Sequence, residues 1–109
     1  MKWYKVGSIG ENRAVISKVV AGGKRLCLVN DNDTFFALAA KCPHAGADLS
    51  EGWCENKKLI CPFHRYSYDL ATGRGSAGQN DYVATYPVEI RDNAIFVGIP
   101  SFWDQLTKS

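Results

Sequence analysis

Apolar and β-branched residues recur in short runs broken by turn-forming residues every eight to twelve positions, which predicts strands throughout. "WYKV" (3–6) and "AVISKVV" (14–20) are the first two candidates, and "AGGK" (21–24) turns the chain into "RLCLVN" (25–30). "NDND" (30–33) then leads into "TFFALAA" (34–40) as a hairpin with a longer loop. Further on, "KLIC" (58–61) reads as a short strand, and "YSYDLATGRG" (66–75) as a strand entering a Gly-rich turn. "PVEIR" (87–91) and "AIFVGI" (94–99) flank Asp92-Asn93, two residues that accept φ > 0 and therefore predict a tight hairpin. No window of a dozen residues carries helical periodicity. "KCPHAGADLSEGW" (41–53), "CPFHRY" (61–66) and the flexible "GSAGQND" (75–81) remain as loops at strand ends. The tail "SFWDQLTKS" (101–109) packs back on the sheets or frays.

A chain of 109 residues holds one domain around one core. The apolar fraction of 46% is that of a soluble globular protein, and the net charge of +2 leaves no basic stripe to track phosphates, which argues against a nucleic-acid partner. The N-terminal sequence has no secretory h-region, and no apolar run has the length of a membrane span. A cytoplasmic location follows, where thiols stay reduced and four cysteines point to metal or redox chemistry before disulfides.

Both histidines of the chain sit just beyond a Cys-Pro, in "CPH" (42–44) and "CPFH" (61–64). Thiolate sulfur and imidazole nitrogen are metal ligands, and four of them fill one tetrahedral zinc or two positions on each iron of a binuclear cluster. Zinc sites more often pair cysteines first and histidines afterwards. In the order Cys-His, Cys-His, each loop gives one sulfur to an inner iron and one nitrogen to an outer iron, the ligation of a Rieske centre. Pro43 and Pro62 stiffen the two loops, and Gly46 and Gly52 allow tight turns beside the metal. Cys27 reads as an inert core thiol and Cys54 as a plain semi-exposed one. Trp3, Trp53 and Trp103 read as packing residues.

The paired motif, with sixteen residues between His44 and Cys61, resembles the Rieske iron–sulfur signature, and "YPVEIRDNAIFVGI" (86–99) is similar to the C-terminal hairpin of the small Rieske ferredoxins. The resemblance runs from about Trp3 to Ile99. It implies an all-β fold of two antiparallel sheets in a sandwich, with a cluster-binding subdomain at about 40–70. It further implies one [2Fe–2S] cluster, with Cys42 and Cys61 on the buried iron and His44 and His64 on the outer one. The membrane-bound respiratory type carries an extra cysteine in each loop, joined as a disulfide; here Ala47 and Phe63 stand in those places, which indicates the soluble branch. Where many relatives have Gly after the second histidine this chain has Arg65, which need not take φ > 0. Tyr66 replaces the respiratory serine donor, and Tyr68 matches a tyrosine able to donate to a cysteine sulfur.

Two thiolates and two neutral imidazoles leave the oxidised cluster neutral, whereas four thiolates leave it a dianion that resists an electron. The potential rises accordingly, into a span of roughly −150 to +300 mV. Without the serine and the disulfide, the low end is expected here. The potential is also expected to fall at alkaline pH if the histidines face solvent. The resemblance implies a monomeric carrier, not an enzyme, that passes single electrons from a flavin reductase to a terminal oxygenase. Docking would use a small patch of Ala45, Gly46, Phe63 and Arg65. Alternatives are a small subunit of a multi-subunit reductase of the nitrite-reductase kind and a zinc-bound structural module.

Overall fold

The computed structural model describes residues 1–11, 14–42, 48–62, 65–76 and 81–100. Among these residues ten strands form three antiparallel sheets. In chain order they are β1 (Lys2–Ser8), β2 (Ile16–Ala21), β3 (Lys24–Asp31), β4 (Thr34–Ala39), β5 (Trp53–Glu55), β6 (Lys58–Ile60), β7 (Ser67–Asp69), β8 (Thr85–Tyr86), β9 (Val88–Arg91) and β10 (Ala94–Ile99). The sheets run β1-β10-β9, β2-β3-β4-β8 and β5-β6-β7.

The four-stranded sheet is the middle layer. Along β3 the side chains alternate between two cores. Leu26 joins Ala21, Ala37, Val97 and Ile99 against the β1-β10-β9 sheet, and this is the expected sandwich. Cys27 and Val29 join Leu38, Cys42, Leu49, Leu59, Cys61, Tyr68, Leu70 and Val83 on the other side, where the third sheet lies. Burial on both faces explains why "LCLV" is a continuous apolar run rather than an alternating one. Cys27 is fully enclosed there, and burial pushes its thiol up to about 12, so it stays protonated and unreactive. Cys54 on β5 is half-buried and its thiol is likewise raised by burial.

Two-residue turns with both residues at positive φ close several hairpins, because their twist matches that of the flanking strands. Asp92-Asn93 behaves as expected, with φ of 47° and 65°. The β3–β4 connection is tighter than the longer loop expected of it. Asp31 pairs with Thr34, and only Asn32 and Asp33 intervene, at φ 51° and 67°. The Asn30 Oδ1 accepts from the Asp33 N–H at 2.8 Å and fixes the reversal. A hairpin that the apolar pattern does not reveal joins β5 to β6 through Asn56-Lys57, at φ 50° and 62°. Beyond β7, Gly73 is obligatory: at φ 75° its missing Cβ would stand 2.0 Å from the Val83 carbonyl oxygen.

Candidate metal centre

The two Cys–His loops are pinched shut at their bases. In the first, β4 ends at Ala39, Lys41 bridges to Asp48, and the Leu49 N–H donates to the Ala40 carbonyl at 2.7 Å. The chain before and after residues 43–47 is thereby held together. A turn of 3-10 helix, Leu49–Glu51, follows where only loop was expected. Asp48 caps it, its Oδ1 accepting from the Ser50 N–H at 2.9 Å and the Ser50 hydroxyl at 2.6 Å, while Lys18 Nζ lies 2.8 Å from Oδ2. These partners, Lys18 first, hold the Asp48 carboxyl down at about 2. Leu49 is driven into the core and anchors the return of the loop.

The second loop is the turn of the β6–β7 hairpin. Ile60 pairs with Ser67, and the Cys61 N–H donates to the Tyr66 carbonyl at 2.7 Å. Arg65 takes φ 56°, so the position where relatives use Gly does require a left-handed residue, contrary to the expectation from sequence. Its guanidinium lies over the Trp53 ring, 6.0 Å from the centroid. Gly52, at φ −83°, is needed for close approach rather than for a special turn. A Cβ there would lie 1.9 Å from the Ile60 carbonyl oxygen, so the two loop bases could not sit together.

Cys42 and Cys61 end in the same packed core, 1% and 0% exposed. Tyr68, fully buried on β7, places its hydroxyl 3.4 Å from Cys42 Sγ and donates to Asp81 Oδ2 at 2.8 Å. Burial, followed by the contacts with Cys42 and Asp81, raises the Tyr68 phenol well above its ordinary value, so it stays protonated. Sequence reading picked out Tyr68 but not Asp81 or Asp48; neither carries a local pattern that marks it. His44, His64, Ala45, Gly46, Ala47, Phe63 and Trp103 lie outside the described residues. Among the described residues no three His, Cys, Asp or Glu side chains gather as a metal site. The donor chemistry that is described fits a cluster with sulfur ligands on its inner side. It consists of two water-excluded thiols from separate pinned loops and a hydroxyl within reach of one sulfur.

Residues 2–87 match the family model of the Rieske [2Fe-2S] domain. The ferredoxin subunit of 3-phenylpropionate/cinnamic acid dioxygenase of Escherichia coli (strain K12) is 34% identical over 77 residues, covering 69% of this chain and 73% of that protein. Among solved structures, the Sphingomonas yanoikuyae B1 ferredoxin superposes with a TM-score of 0.80 at 25% identity, covering 91% of this chain and all of that one. A chain from the complex of reduced oxygenase and oxidised ferredoxin in carbazole 1,9a-dioxygenase gives 0.79 at 26% identity, over 88% of this chain and 92% of its own length. The chain thus belongs to the Rieske [2Fe-2S] domain family and is a one-electron carrier of the ferredoxin type, built around one [2Fe–2S] cluster.

Proposed function

We propose that Cys42 and Cys61 ligate the inner iron of the cluster and His44 and His64 the outer iron. The segment of about 40–70 is then the cluster-binding subdomain of the single domain 1–109. The observation that carries this reading is the convergence of two pinned loops on one core, each delivering a buried cysteine. When bound there, the cluster takes up one electron and gives it back. The protein's own task is to hold the ligands still, through Asp48, Leu49 and the Cys61–Tyr66 main-chain bond, and to keep water from the two sulfurs.

The carrier converts no substrate itself. Its electrons would come from a flavin reductase and go to a terminal oxygenase, in the cytoplasm, with the protein acting as a monomer free of membrane and nucleic acid. Relatives named as dioxygenase ferredoxin subunits support this over a small subunit of a nitrite-reductase-like enzyme. No helix among the described residues is long and apolar enough to cross a membrane. Arg65, exposed, next in sequence to His64 and lying over Trp53, would supply a cation where a partner docks.

The test is metal and acid-labile sulfide analysis of anaerobically purified protein, with electron paramagnetic resonance after dithionite reduction. Wild type should contain iron and sulfide in equal amounts. Replacing either cysteine by Ser or either histidine by Ala should abolish or shift the spectrum. Retention of an unaltered spectrum in any of the four variants would remove that residue from the ligand set.

A further inference from the structure

The Tyr68 hydroxyl stands between Cys42 Sγ at 3.4 Å and Asp81 Oδ2 at 2.8 Å. A hydroxyl has one proton to donate. In the cluster-free chain the Cys42 thiol can satisfy the sulfur side itself by donating S–H to the hydroxyl oxygen. A cysteine that ligates iron is a thiolate and has no such proton. Both neighbours of the hydroxyl are then acceptors, and they compete for one hydrogen. Carboxylate oxygen forms short, charge-assisted bonds, while cysteine sulfur accepts weakly.

The main chain sets up this competition. The Gly75 N–H donates to the Asp81 carbonyl at 2.9 Å, and Gly75 bridges to Tyr68 itself. Arg74 bridges to Tyr82 alongside. Asp81 is therefore registered beside the Tyr68 ring by two main-chain contacts, and its carboxylate reaches the hydroxyl from a fixed backbone.

We infer that Asp81 draws the Tyr68 hydroxyl proton away from Cys42 Sγ and thereby lowers the reduction potential of the centre, acting as a positioning residue for its redox poise. The inference rests on Cys42 being an iron ligand. A hydrogen bond donated to a ligand sulfur favours the reduced, more negative state, so diverting it favours the oxidised one. The Asp81 charge, one hydroxyl away from the sulfur, acts in the same direction.

Midpoint potentials of wild type, Tyr68→Phe, Asp81→Ala and the double variant test this as a cycle, by film voltammetry at fixed pH and salt. Tyr68→Phe alone should change the reduction equilibrium by less than roughly threefold, since its proton already goes elsewhere. Asp81→Ala should favour reduction by roughly tenfold, about 59 mV for one electron. Adding Tyr68→Phe to Asp81→Ala should remove a large part of that gain. Equal effects of Tyr68→Phe in both backgrounds, or an unmoved potential in Asp81→Ala, would overturn the inference. Asp81→Asn, which removes the charge but keeps an acceptor, gives a second cycle if Asp81→Ala fails to fold; it should raise the potential less. The visible and resonance spectra of Cys42→Ser test the ligand separately. An altered spectrum with no coupling in the cycle defeats the role of Asp81 alone, and an unaltered spectrum defeats the ligand reading itself.

Discussion

Arg65 is a residue in a conformation its side chain does not favour. The left-handed region costs an L-residue about 1–2 kcal/mol, and stacking over a partly exposed Trp53 returns only about 0.5–1 kcal/mol. Arg65→Gly relieves the backbone but loses the stacking and adds glycine's entropic penalty of about 0.5–1 kcal/mol, so gain and loss nearly cancel. The expected outcome is a thermal midpoint close to that of wild type, whereas Arg65→Ala, which loses the stacking and keeps the strain, should melt a few degrees lower, both followed by circular dichroism at a fixed scan rate. Lys57, also at positive φ, illustrates the same limit of sequence reading. Asp92-Asn93 announced its turn because Asn and Asp bond their own backbone and tolerate that region. Lys and Arg have no such preference, and the hairpins impose the conformation on them.

At the scale of elements, the first loop is fastened by side chains. Asp48 caps the 3-10 turn and meets Lys18 on β2, and its folded-state carboxyl at about 2 lies below the ordinary 3.8. A lowered folded value means stability present above pH 3.8 and lost as the pH falls from there toward 2. Lys18 is 67% exposed, so solvent and salt screen the pair and the loss is modest. Acid titration of the unfolding midpoint should therefore show a shallower fall between those pH values in Asp48→Asn than in wild type, from a lower starting stability. An identical slope in the two proteins would exclude this role for Asp48. The long strands were legible because alternating or β-branched runs mark them. β5 and β8, three and two residues long, carry no period to detect. The cysteines were legible from their repeated context, a Cys-Pro with a histidine close behind. Asp81 was not, because it gains meaning only when strand register sets it against Tyr68, 13 residues away.

Over the whole molecule, one middle sheet serves two cores, and the side nearer the candidate centre contains Tyr68 but has Tyr66 where the respiratory type has a serine donor. The missing serine donor and the lack of the two extra loop cysteines both act against reduction. The measured midpoint should fall in the lower part of the Rieske span, below roughly +100 mV. A film voltammogram centred above that value would show that stronger donors reach the cluster. The family resemblance was legible because its motif is local in sequence. The three-layer arrangement was not, because the two-sided burial of β3 depends on strands from both ends of the chain.

Among the described residues β1 pairs with β10 alone, with Lys2 opposite Ile99 and Ser8 opposite Ala94. During synthesis the first strand therefore waits, unpaired, until almost the last one leaves the ribosome. The core around Cys42 and Cys61 draws on residues between Ile16 and Val83 and can close earlier. A nascent chain could accordingly assemble its metal-side core before its opposite face is covered, placing the machinery that delivers iron and sulfide in competition with the final zipping of the outer sheet.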